Sequence, residues 1–318
     1  MKEKILIVSG EPISVNPEII YKSWKKINTK LKKKIYLISN YDLLSKQLKS
    51  LNYKIKLNEV KNINENENDD SLKVININLN FKKLSSLSVK NVKKFINQSL
   101  NLAHKLALEK NVKGIINCPI NKKHINKKFN GATEYFASKC SIKNNSEAML
   151  IFSKKLAVCP ITTHINIKDI SKKLKPKLII SKIKTIDFWF KFLLKKKPKI
   201  AVLGLNPHNA EFNKRSEEYK FIRPLVKKLK KFSINLSGPY SADSFFIDKY
   251  KNFDVVVGMY HDQVITPFKT LLKFNAINIT LGLKYLRVSP DHGTAEDIIR
   301  KNKANPQSLI DCIQFLNK

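Results

Sequence analysis

The sequence predicts an α/β fold, with mostly parallel sheets covered by helices. Short β-branched runs alternate with longer amphipathic stretches along the 318 residues, as in strands that pair in parallel and are joined by helices. The length suits one large unit or two lobes. The 8 glycines form no G-x-G-x-x-G or Walker A pattern, which argues against a Rossmann dinucleotide fold or a P-loop.

The predicted strands are short runs of apolar and β-branched residues that turn or helix signals interrupt. In chain order they are Lys4–Ser9, Ile35–Ile38, Val74–Leu79, Gly114–Cys118, Met149–Phe152, Leu156–Pro160, Ile200–Leu205, Asp254–Gly258 and Ala276–Thr280.

The predicted helices lie between these strands. One opens near Pro17, where proline is tolerated in the first turn. Val89–Lys110 carries its apolar residues at helical spacing along its length. The others are Leu178–Leu194, Glu217–Phe232 and a last helix at Pro306–Leu316.

The charge of the chain is strongly basic, with 61 Lys and Arg against 25 Asp and Glu, a formal net charge of +36. Such a balance ordinarily suggests nucleic acid or an anionic membrane as partner. The lysines, however, are spread along the whole chain, and Asn and Ile are over-represented as well, as in Asn62–Asn68. We interpret the charge as the composition of an AT-rich coding sequence on solvated faces, with attraction of an anionic substrate as a second possibility. Without aromatic interleaving or a reader module, we expect no nucleic-acid partner.

The cysteines and the N-terminus indicate a cytoplasmic protein without a membrane partner. The four cysteines form no CxxC pair, so neither a disulfide framework nor a zinc knuckle is predicted. The first apolar run is too short for a signal peptide, and no run approaches the ~20 residues that span a bilayer.

Three histidines stand at the ends of predicted strands. His164, His208 and His261 follow the apolar runs Leu156–Ile161, Ile200–Leu205 and Val255–Met259, and the chain has only 6 histidines. In α/β proteins ligands collect where strands end and loops begin. Three imidazoles at such a rim predict an open metal site with a position left for substrate. The alternative for each histidine alone is a hydrogen-bonded side chain at a strand end.

Eight short motifs follow one another over nearly the whole chain: Ser9–Pro12, Gly131–Phe136, Thr162–His164, Gly204–His208, Gly238–Ser244, Met259–Gln263, Asn278–Leu283, and Arg287 with Asp291–Ala295. In this order they resemble the 4-hydroxythreonine-4-phosphate dehydrogenase (PdxA) family. The resemblance implies that His164, His208 and His261 hold one divalent metal, Zn²⁺, Mg²⁺ or Co²⁺, at the interface of a homodimer.

The resemblance also implies the substrate contacts and the lobes. Thr133, Lys269, Asn278 and Arg287 match positions that contact a phosphorylated small substrate. Arg is scarce here whereas Lys is everywhere, so Arg287 carries the most weight. The active site is expected in the cleft between two lobes. Residues 1–129 with 266–318 would form the cofactor-side lobe, and residues 130–265 the metal-binding and dimerisation lobe.

A third implied element is the segment Asp291–Pro306, which resembles the cofactor loop of isocitrate and isopropylmalate dehydrogenases. These enzymes have a related two-lobed fold that binds NAD or NADP without a Rossmann motif. His292, Gly293, Thr294 and Asn305 are the expected cofactor contacts, with a helix opening near Thr294. The alternative is an ordinary helix that Thr294 merely caps.

Two aspartates in the motifs are candidate acid–base residues. Asp243 and Asp262 would orient a ligand histidine or relay a proton, and either is equally compatible with capping a loop. The family pattern Gly-His-Thr-Glu is changed at Ala132, and the N-terminal motif also departs from the usual Gly-Ile-Gly-Pro type. Alanine cannot donate a hydrogen bond or carry charge, so binding at that corner of the site must be weaker or be supplied by another group.

The implied reaction is the metal- and NAD-dependent oxidation of 4-phosphooxy-L-threonine to 2-amino-3-oxo-4-phosphooxybutanoate. Decarboxylation then yields 3-amino-2-oxopropyl phosphate, on the route to pyridoxine 5'-phosphate (vitamin B6). The nearer alternative is a sister dehydrogenase of threonate or erythronate phosphate, which Ala132 keeps open. The remote alternative is a basic nucleic-acid-binding protein on a degenerate enzyme scaffold.

Overall fold

A computed structural model describes residues 3–65, 70–83, 87–126, 128–129, 131–143, 145–211, 213–273 and 275–318. The chain divides into two compact units. Unit 1 comprises residues 1–139 and 284–318, and unit 2 comprises residues 140–283. Of the two lobe boundaries expected from the sequence, the one near Asn130 falls on a residue outside the described ranges. The roles assigned to the two lobes stay predictions.

The strands are short, and their central residues are almost all buried. In chain order they are β1 (Lys4–Val8), β2 (Ile35–Ser39), β3 (Leu57–Val60), β4 (Leu72–Asn76), β5 (Val112–Asn117), β6 (Ala148–Phe152), β7 (Ala157–Pro160), β8 (Ile200–Leu203), β9 (Leu236–Tyr240), β10 (Val255–Gly258), β11 (Ile277–Leu281) and β12 (Leu286–Pro290).

The helices connect the strands and cover the sheet faces, and short 3₁₀ turns lie between several of them. The α-helices are α1 (Asn16–Lys26), α2 (Thr29–Lys32), α3 (Tyr41–Ser50), α4 (Val89–Ala107), α5 (Ala132–Lys139), α6 (Ile170–Lys173), α7 (Pro176–Leu194), α8 (Arg223–Lys231), α9 (Ala242–Phe245), α10 (His261–Leu272) and α11 (Gln307–Asn317).

The sheet of unit 1 has the strand order β3-β4-β2-β1-β5-β12, and every pairing within it is parallel. Its central strands are buried on both faces, which explains why Ile5–Val8 and Ile35–Ile38 read as continuous apolar runs. Helix α4 covers them with a buried stripe that includes Val92, Phe95 and Leu100. The parallel arrangement brings the carboxyl ends of β1, β5 and β12 to one edge.

The sheet of unit 2 has the order β11-β6-β7-β10-β8-β9. Here β6 is antiparallel to both of its neighbours, while β7, β10, β8 and β9 run parallel to one another. The predicted α/β class with mostly parallel pairing is therefore confirmed. The carboxyl ends of β7, β10 and β8 lie side by side, and each carries one of the predicted motifs.

Three strands were not predicted from the sequence, namely β3, β9 and β12. Their sequences, Leu-Asn-Glu-Val, Leu-Ser-Gly-Pro-Tyr and Leu-Arg-Val-Ser-Pro, are too polar or too rich in breakers to read as strands. Among the described strands β9 pairs only with β8, and proline is tolerated on such an edge because it has no N–H to donate.

The prediction of a helix that opens near Thr294 is wrong. The structure has a single 3₁₀ turn at Glu296–Ile298, and α11 begins only at Gln307. Ala295, Arg300 and Asn302 have positive φ, between 48° and 62°, and such residues end a helix. Within the described residues, no helix is both long and apolar enough to cross a membrane.

Candidate active site

The three predicted metal-binding histidines lie at one edge of the sheet in unit 2. His164 follows β7, His261 opens α10 directly after β10, and His208 follows β8. These three strands are adjacent and parallel in the order β7-β10-β8, so their carboxyl ends deliver the histidine loops to the same rim.

Two of these imidazoles are close neighbours. The ring centroids of His164 and His261 are 5.5 Å apart, and both residues line one surface depression together with Thr163, Tyr260 and Asp262. Two imidazoles bound to one tetrahedral zinc ion have centroids roughly 5 Å apart, given metal–nitrogen bonds of about 2.0–2.1 Å. The pair is therefore spaced as two ligands of one ion would be.

His208 is held by an unusual backbone segment. Residues 208–211 all have positive φ, between 47° and 57°, although none of them is glycine. Single residues of this kind cost about 1–3 kcal/mol and persist only where their surroundings fix them, commonly at functional sites. The Nδ1 atom of His208 lies 3.5 Å from a carboxylate oxygen of Asp243. Both side chains are exposed.

A buried carboxylate holds the segment that leads to His208. One oxygen of Glu218 accepts hydrogen bonds from the backbone N–H groups of Leu205 (2.6 Å) and Asn206 (2.7 Å), and the other accepts from Asn206 Nδ2 (2.8 Å). The side chain of Glu218 is fully buried and lies in a π-helical turn, Glu218–Ile222. Such turns occur frequently at functional sites.

Buried polar side chains also tie the three histidine loops to one another. Gln263 accepts from Met259 N–H at 2.7 Å and donates to the Gly204 carbonyl at 2.6 Å, which joins the loops after β10 and β8. The Thr162 hydroxyl donates to the Met259 carbonyl at 2.7 Å, which joins the loops after β7 and β10. The rim is thus pre-organised before any ligand binds.

The two candidate acid–base residues each sit beside a histidine. A carboxylate oxygen of Asp262 is hydrogen-bonded to His261 Nδ1 at 2.6 Å. A carboxylate oxygen of Asp243 lies 3.5 Å from His208 Nδ1. A carboxylate on one ring nitrogen orients the other nitrogen toward a ligand. This arrangement fits an orienting role for both, and the assignment of a proton-transfer role to either stays a prediction.

The histidines do not, within one chain, form a complete ligand set. Among the residues that the structure describes, no group of three or more His, Cys, Asp or Glu side chains is arranged to hold a metal ion. Two histidines are paired and the third is on the neighbouring strand end.

In unit 1 the structure brings together two predicted substrate contacts. Arg287 on β12 donates from one terminal nitrogen to the Thr133 hydroxyl at 3.2 Å, and its Nε donates to Asn117 Oδ1 at 2.5 Å. Burial lowers the pKa of the Arg287 guanidinium to about 10, an effect that the nearby Glu134 carboxylate partly offsets. The group therefore stays charged at neutral pH. Asn117, at the end of β5, was not predicted.

The other two predicted substrate contacts are in unit 2. Lys269 is half-buried on α10 and Asn278 is half-buried on β11. The Asn278 Oδ1 atom is buried, and no group within the described ranges donates a hydrogen bond to it. Ala132 begins α5, directly before Thr133.

The predicted cofactor residues lie after β12, at the carboxyl edge of the unit 1 sheet. His292 Nε2 is buried without a hydrogen-bond partner among the described residues, and a side chain placed on Gly293 would meet nothing within 4 Å. The Thr294 carbonyl accepts from Val15 N–H at 3.1 Å, which anchors this loop to the segment after β1. Asn305 instead accepts from Gln307 N–H at 2.9 Å, in the manner of a helix cap.

Comparisons with known proteins agree over nearly the whole chain. The sequence profile of the family described as "Pyridoxal phosphate biosynthetic protein PdxA" matches residues 30–316. The 4-hydroxythreonine-4-phosphate dehydrogenase of Sulfurihydrogenibium sp. is 36% identical over 98% of this chain and 97% of the relative. That of Aquifex aeolicus is 36% identical over 99% and 98% of the two chains. A crystal structure of the Klebsiella pneumoniae enzyme of this name superposes with a TM-score of 0.84 at 28% identity, covering 99% and 98%.

Proposed function

Because the chain belongs to the PdxA family of pyridoxal phosphate biosynthetic proteins, we propose that it oxidises 4-phosphooxy-L-threonine with NAD or NADP. The product, 2-amino-3-oxo-4-phosphooxybutanoate, would lose CO₂ to give 3-amino-2-oxopropyl phosphate. The observation that carries the proposal is the delivery of three histidines to one rim by adjacent parallel strands.

His164, His208 and His261 would hold the metal. The 5.5 Å spacing of His164 and His261 and the rigid support of the segment that leads to His208 favour this assignment. Three imidazoles suit Zn²⁺ or Co²⁺ better than Mg²⁺. These residues would thereby supply a Lewis acid that favours loss of the substrate hydroxyl proton. Asp262 and Asp243 would keep the Nε2 atoms of His261 and His208 directed at the ligand position.

Arg287 and Thr133 would bind an anionic end of the substrate, and Lys269 and Asn278 would supply further contacts. The Arg287 fork is fixed by Asn117 and Thr133 before substrate arrives, so little side-chain entropy is lost on binding. Asn278 Oδ1, which no donor among the described residues engages, would accept from a substrate hydroxyl or ammonium.

The nicotinamide cofactor would bind along the loop after β12. Within the described ranges, His292 Nε2 has no hydrogen-bond partner and the space beside Gly293 is open, which fits the approach of a ligand there. Asn305 is the weaker candidate, because its carbonyl oxygen is already engaged by Gln307. The nicotinamide would accept the hydride from the substrate carbon that carries the hydroxyl.

A homodimer with shared metal sites is the second part of the proposal. Within one chain the histidines form a pair and a single residue, and a second subunit could complete the ligand set. The test is subunit mixing among His164→Ala, His208→Ala and His261→Ala. If one histidine comes from the partner, its variant recovers about a quarter of wild-type activity when mixed with either of the other two. Absence of recovery in every pair would contradict shared sites.

The sister reaction on threonate or erythronate phosphate is the second candidate, and Ala132 favours it. This residue replaces the histidine of the family pattern, so the substrate preference at this corner of the site is open to change.

The decisive experiment measures NADH or NADPH formation by metal-loaded protein with 4-phosphooxy-L-threonine, with and without a chelator. We expect chelator-sensitive reduction that His208→Ala abolishes and the matched variant His104→Ala retains, since His104 lies on α4 beside Tyr285. Turnover that survives both the chelator and His208→Ala would overturn the metal assignment. Turnover of only the non-amino substrates would establish the sister reaction.

A further inference from the structure

The far end of the loop after β12 is bound to α1 by one lysine. Lys22 Nζ donates to the backbone carbonyls of Asn302 at 3.0 Å and Ala304 at 3.1 Å. Its third bond goes to a carboxylate oxygen of Glu18 at 2.8 Å, so all three donors of the ammonium group are used. The same oxygen of the buried Glu18 side chain accepts the Ala304 N–H at 2.7 Å. Both backbone groups of Ala304 are therefore bound by side chains of α1.

The phenol of Tyr53 binds the side chain of the same loop residue. Its hydroxyl donates to Asn302 Oδ1 at 2.5 Å, and its ring stacks on Tyr21 of α1 with centroids 4.1 Å apart and planes inclined by 4°. Burial and the nearby Glu18 carboxylate raise the pKa of the Tyr53 phenol, so the hydroxyl keeps its proton at neutral pH. Asn302 is thus bound through its carbonyl by Lys22 and through its side chain by Tyr53.

These contacts hold a backbone conformation that is unfavourable in itself. Arg300 and Asn302 have φ of 62° and 55°, in the left-handed region that residues with a Cβ atom rarely occupy. Such residues keep that conformation only where their surroundings fix it. The near end of the loop is anchored separately, by the bond from Val15 N–H to the Thr294 carbonyl. Helix α1 and the residue that precedes it therefore hold the loop at both ends.

We infer that Lys22, supported by Tyr53, is a positioning residue for the nicotinamide cofactor, because it holds the loop in the shape that the cofactor binds. The inference rests on the proposed dehydrogenase function, in which the cofactor contacts this loop between His292 and Asn305. Asn305 directly follows Ala304, so any movement of Ala304 displaces it. A preformed loop loses less conformational entropy when the cofactor binds.

Two other roles for Lys22 predict different results. If it only stabilises α1 through its i,i+4 pair with Glu18, its loss lowers stability and leaves cofactor affinity unchanged. If it only attracts the anionic cofactor by its charge, loss of the exposed Lys25 on the same helix weakens binding as much. Removal of the uncharged Tyr53 hydroxyl then has no effect on affinity.

The test compares wild type with Lys22→Met, with Tyr53→Phe and with the matched control Lys25→Met. Titrations that follow NADH and NADPH fluorescence give the Kd of each protein without turnover. We expect Kd for the cofactor that wild type binds to rise about tenfold in Lys22→Met, as when the competent loop is populated about a tenth of the time. The rise should be about threefold in Tyr53→Phe and below about 1.5-fold in Lys25→Met. In steady state, KM for the cofactor should rise likewise, while kcat and KM for the phosphorylated substrate stay within about twofold.

Unchanged cofactor Kd in Lys22→Met or in Tyr53→Phe, or an equal rise in Lys25→Met, would overturn the inference. Hydrogen exchange adds a second readout, because faster exchange confined to residues 295–304 supports the positioning role and faster exchange throughout unit 1 contradicts it. Tyr53→Phe decides alone if Lys22→Met does not fold. If wild type binds neither NADH nor NADPH, the proposed function fails and this inference with it. Equal binding by wild type and Lys22→Met defeats the positioning role alone.

Discussion

Replacing Glu218 by Ala should destabilise the protein and impair metal binding, although this residue touches no proposed ligand. Glu218 is fully buried and accepts three hydrogen bonds from Leu205 and Asn206. Each bond to a charged group contributes about 1.5–3 kcal/mol, so the gross loss is about 5–9 kcal/mol. Removing the carboxylate also removes its desolvation cost of several kcal/mol. We expect a net loss of about 2–4 kcal/mol.

The functional effect follows from the position of the released segment. Leu205 and Asn206 lead directly into the positive-φ run that begins at His208. Without the two N–H···carboxylate bonds that segment can relax to an ordinary conformation and move the imidazole. We therefore expect zinc affinity, measured by competition with a chromogenic chelator, to fall at least tenfold in Glu218→Ala.

The matched control is Glu217→Ala. Glu217 is half-buried and contacts Asn206 Nδ2 at 3.0 Å and the Ser171 hydroxyl, but no backbone N–H of the loop. Its loss should cost less than about 1 kcal/mol, as for partly exposed groups. Urea unfolding followed by circular dichroism gives both values. A cost below about 1 kcal/mol for Glu218→Ala, with unchanged zinc affinity, would refute the reasoning.

Three further predictions follow from single contacts. Arg287→Lys keeps the charge but loses the guanidinium fork that Asn117 and Thr133 hold. Steady-state kinetics should therefore show a KM for the anionic substrate that is raised about 10- to 100-fold. An unchanged KM would exclude Arg287 from substrate binding. Burial raises the pKa of Cys118 to about 12 and that of Cys159 to about 11, so both stay neutral thiols below that range and should resist a thiol reagent at about pH 8 until urea is added. Rapid labelling of the folded protein at these sites would contradict their burial. Gly204→Ala would place a Cβ atom 2.1 Å from Asn209 Oδ1 and should lower stability by about 1–3 kcal/mol in urea unfolding, whereas Gly293→Ala, with open space around it, should change stability by less than about 0.5 kcal/mol.

The sequence could predict the histidine rim because its signal is local. Each histidine follows an apolar run, and apolar runs of four or five residues are strands whose carboxyl ends share an edge in a parallel sheet. The strand order β7-β10-β8 could not be predicted, because it depends on long-range pairings such as Val255 with Ala157 and Val255 with Ile200. The sequence therefore indicated which residues meet but not which of them are nearest neighbours.

The supporting residues carried no such signal. Glu218 lies ten residues beyond His208, and only its adjacency to Glu217 in a chain poor in acidic residues sets it apart. Asn117 ends a strand in a chain where Asn is everywhere, so its contact with Arg287 is visible only in three dimensions. The helix opening near Thr294, in the loop after β12, was predicted from the resemblance of Asp291–Pro306 to a dehydrogenase cofactor loop. The positive φ of Ala295 prevents a helix from beginning at Thr294. Helix-propensity scales do not include tertiary constraints of this kind.

The lysine content extends into the core, which bears on how the net charge should be interpreted. Lys73 on β4 is fully buried, with its Nζ atom 2.9 Å from the Lys33 carbonyl and 4.9 Å from the Tyr36 ring centroid. Lys182 on α7 is also buried and donates to the Glu147 carbonyl at 2.9 Å. The prediction that the charge lies on solvated faces thus needs this exception. A partner-binding surface would concentrate lysines where a ligand can reach them. These two lysines instead donate hydrogen bonds to backbone carbonyls inside the fold. Their placement favours a compositional origin of the charge, and it leaves the scarce arginines and histidines as the residues whose positions carry information about chemistry.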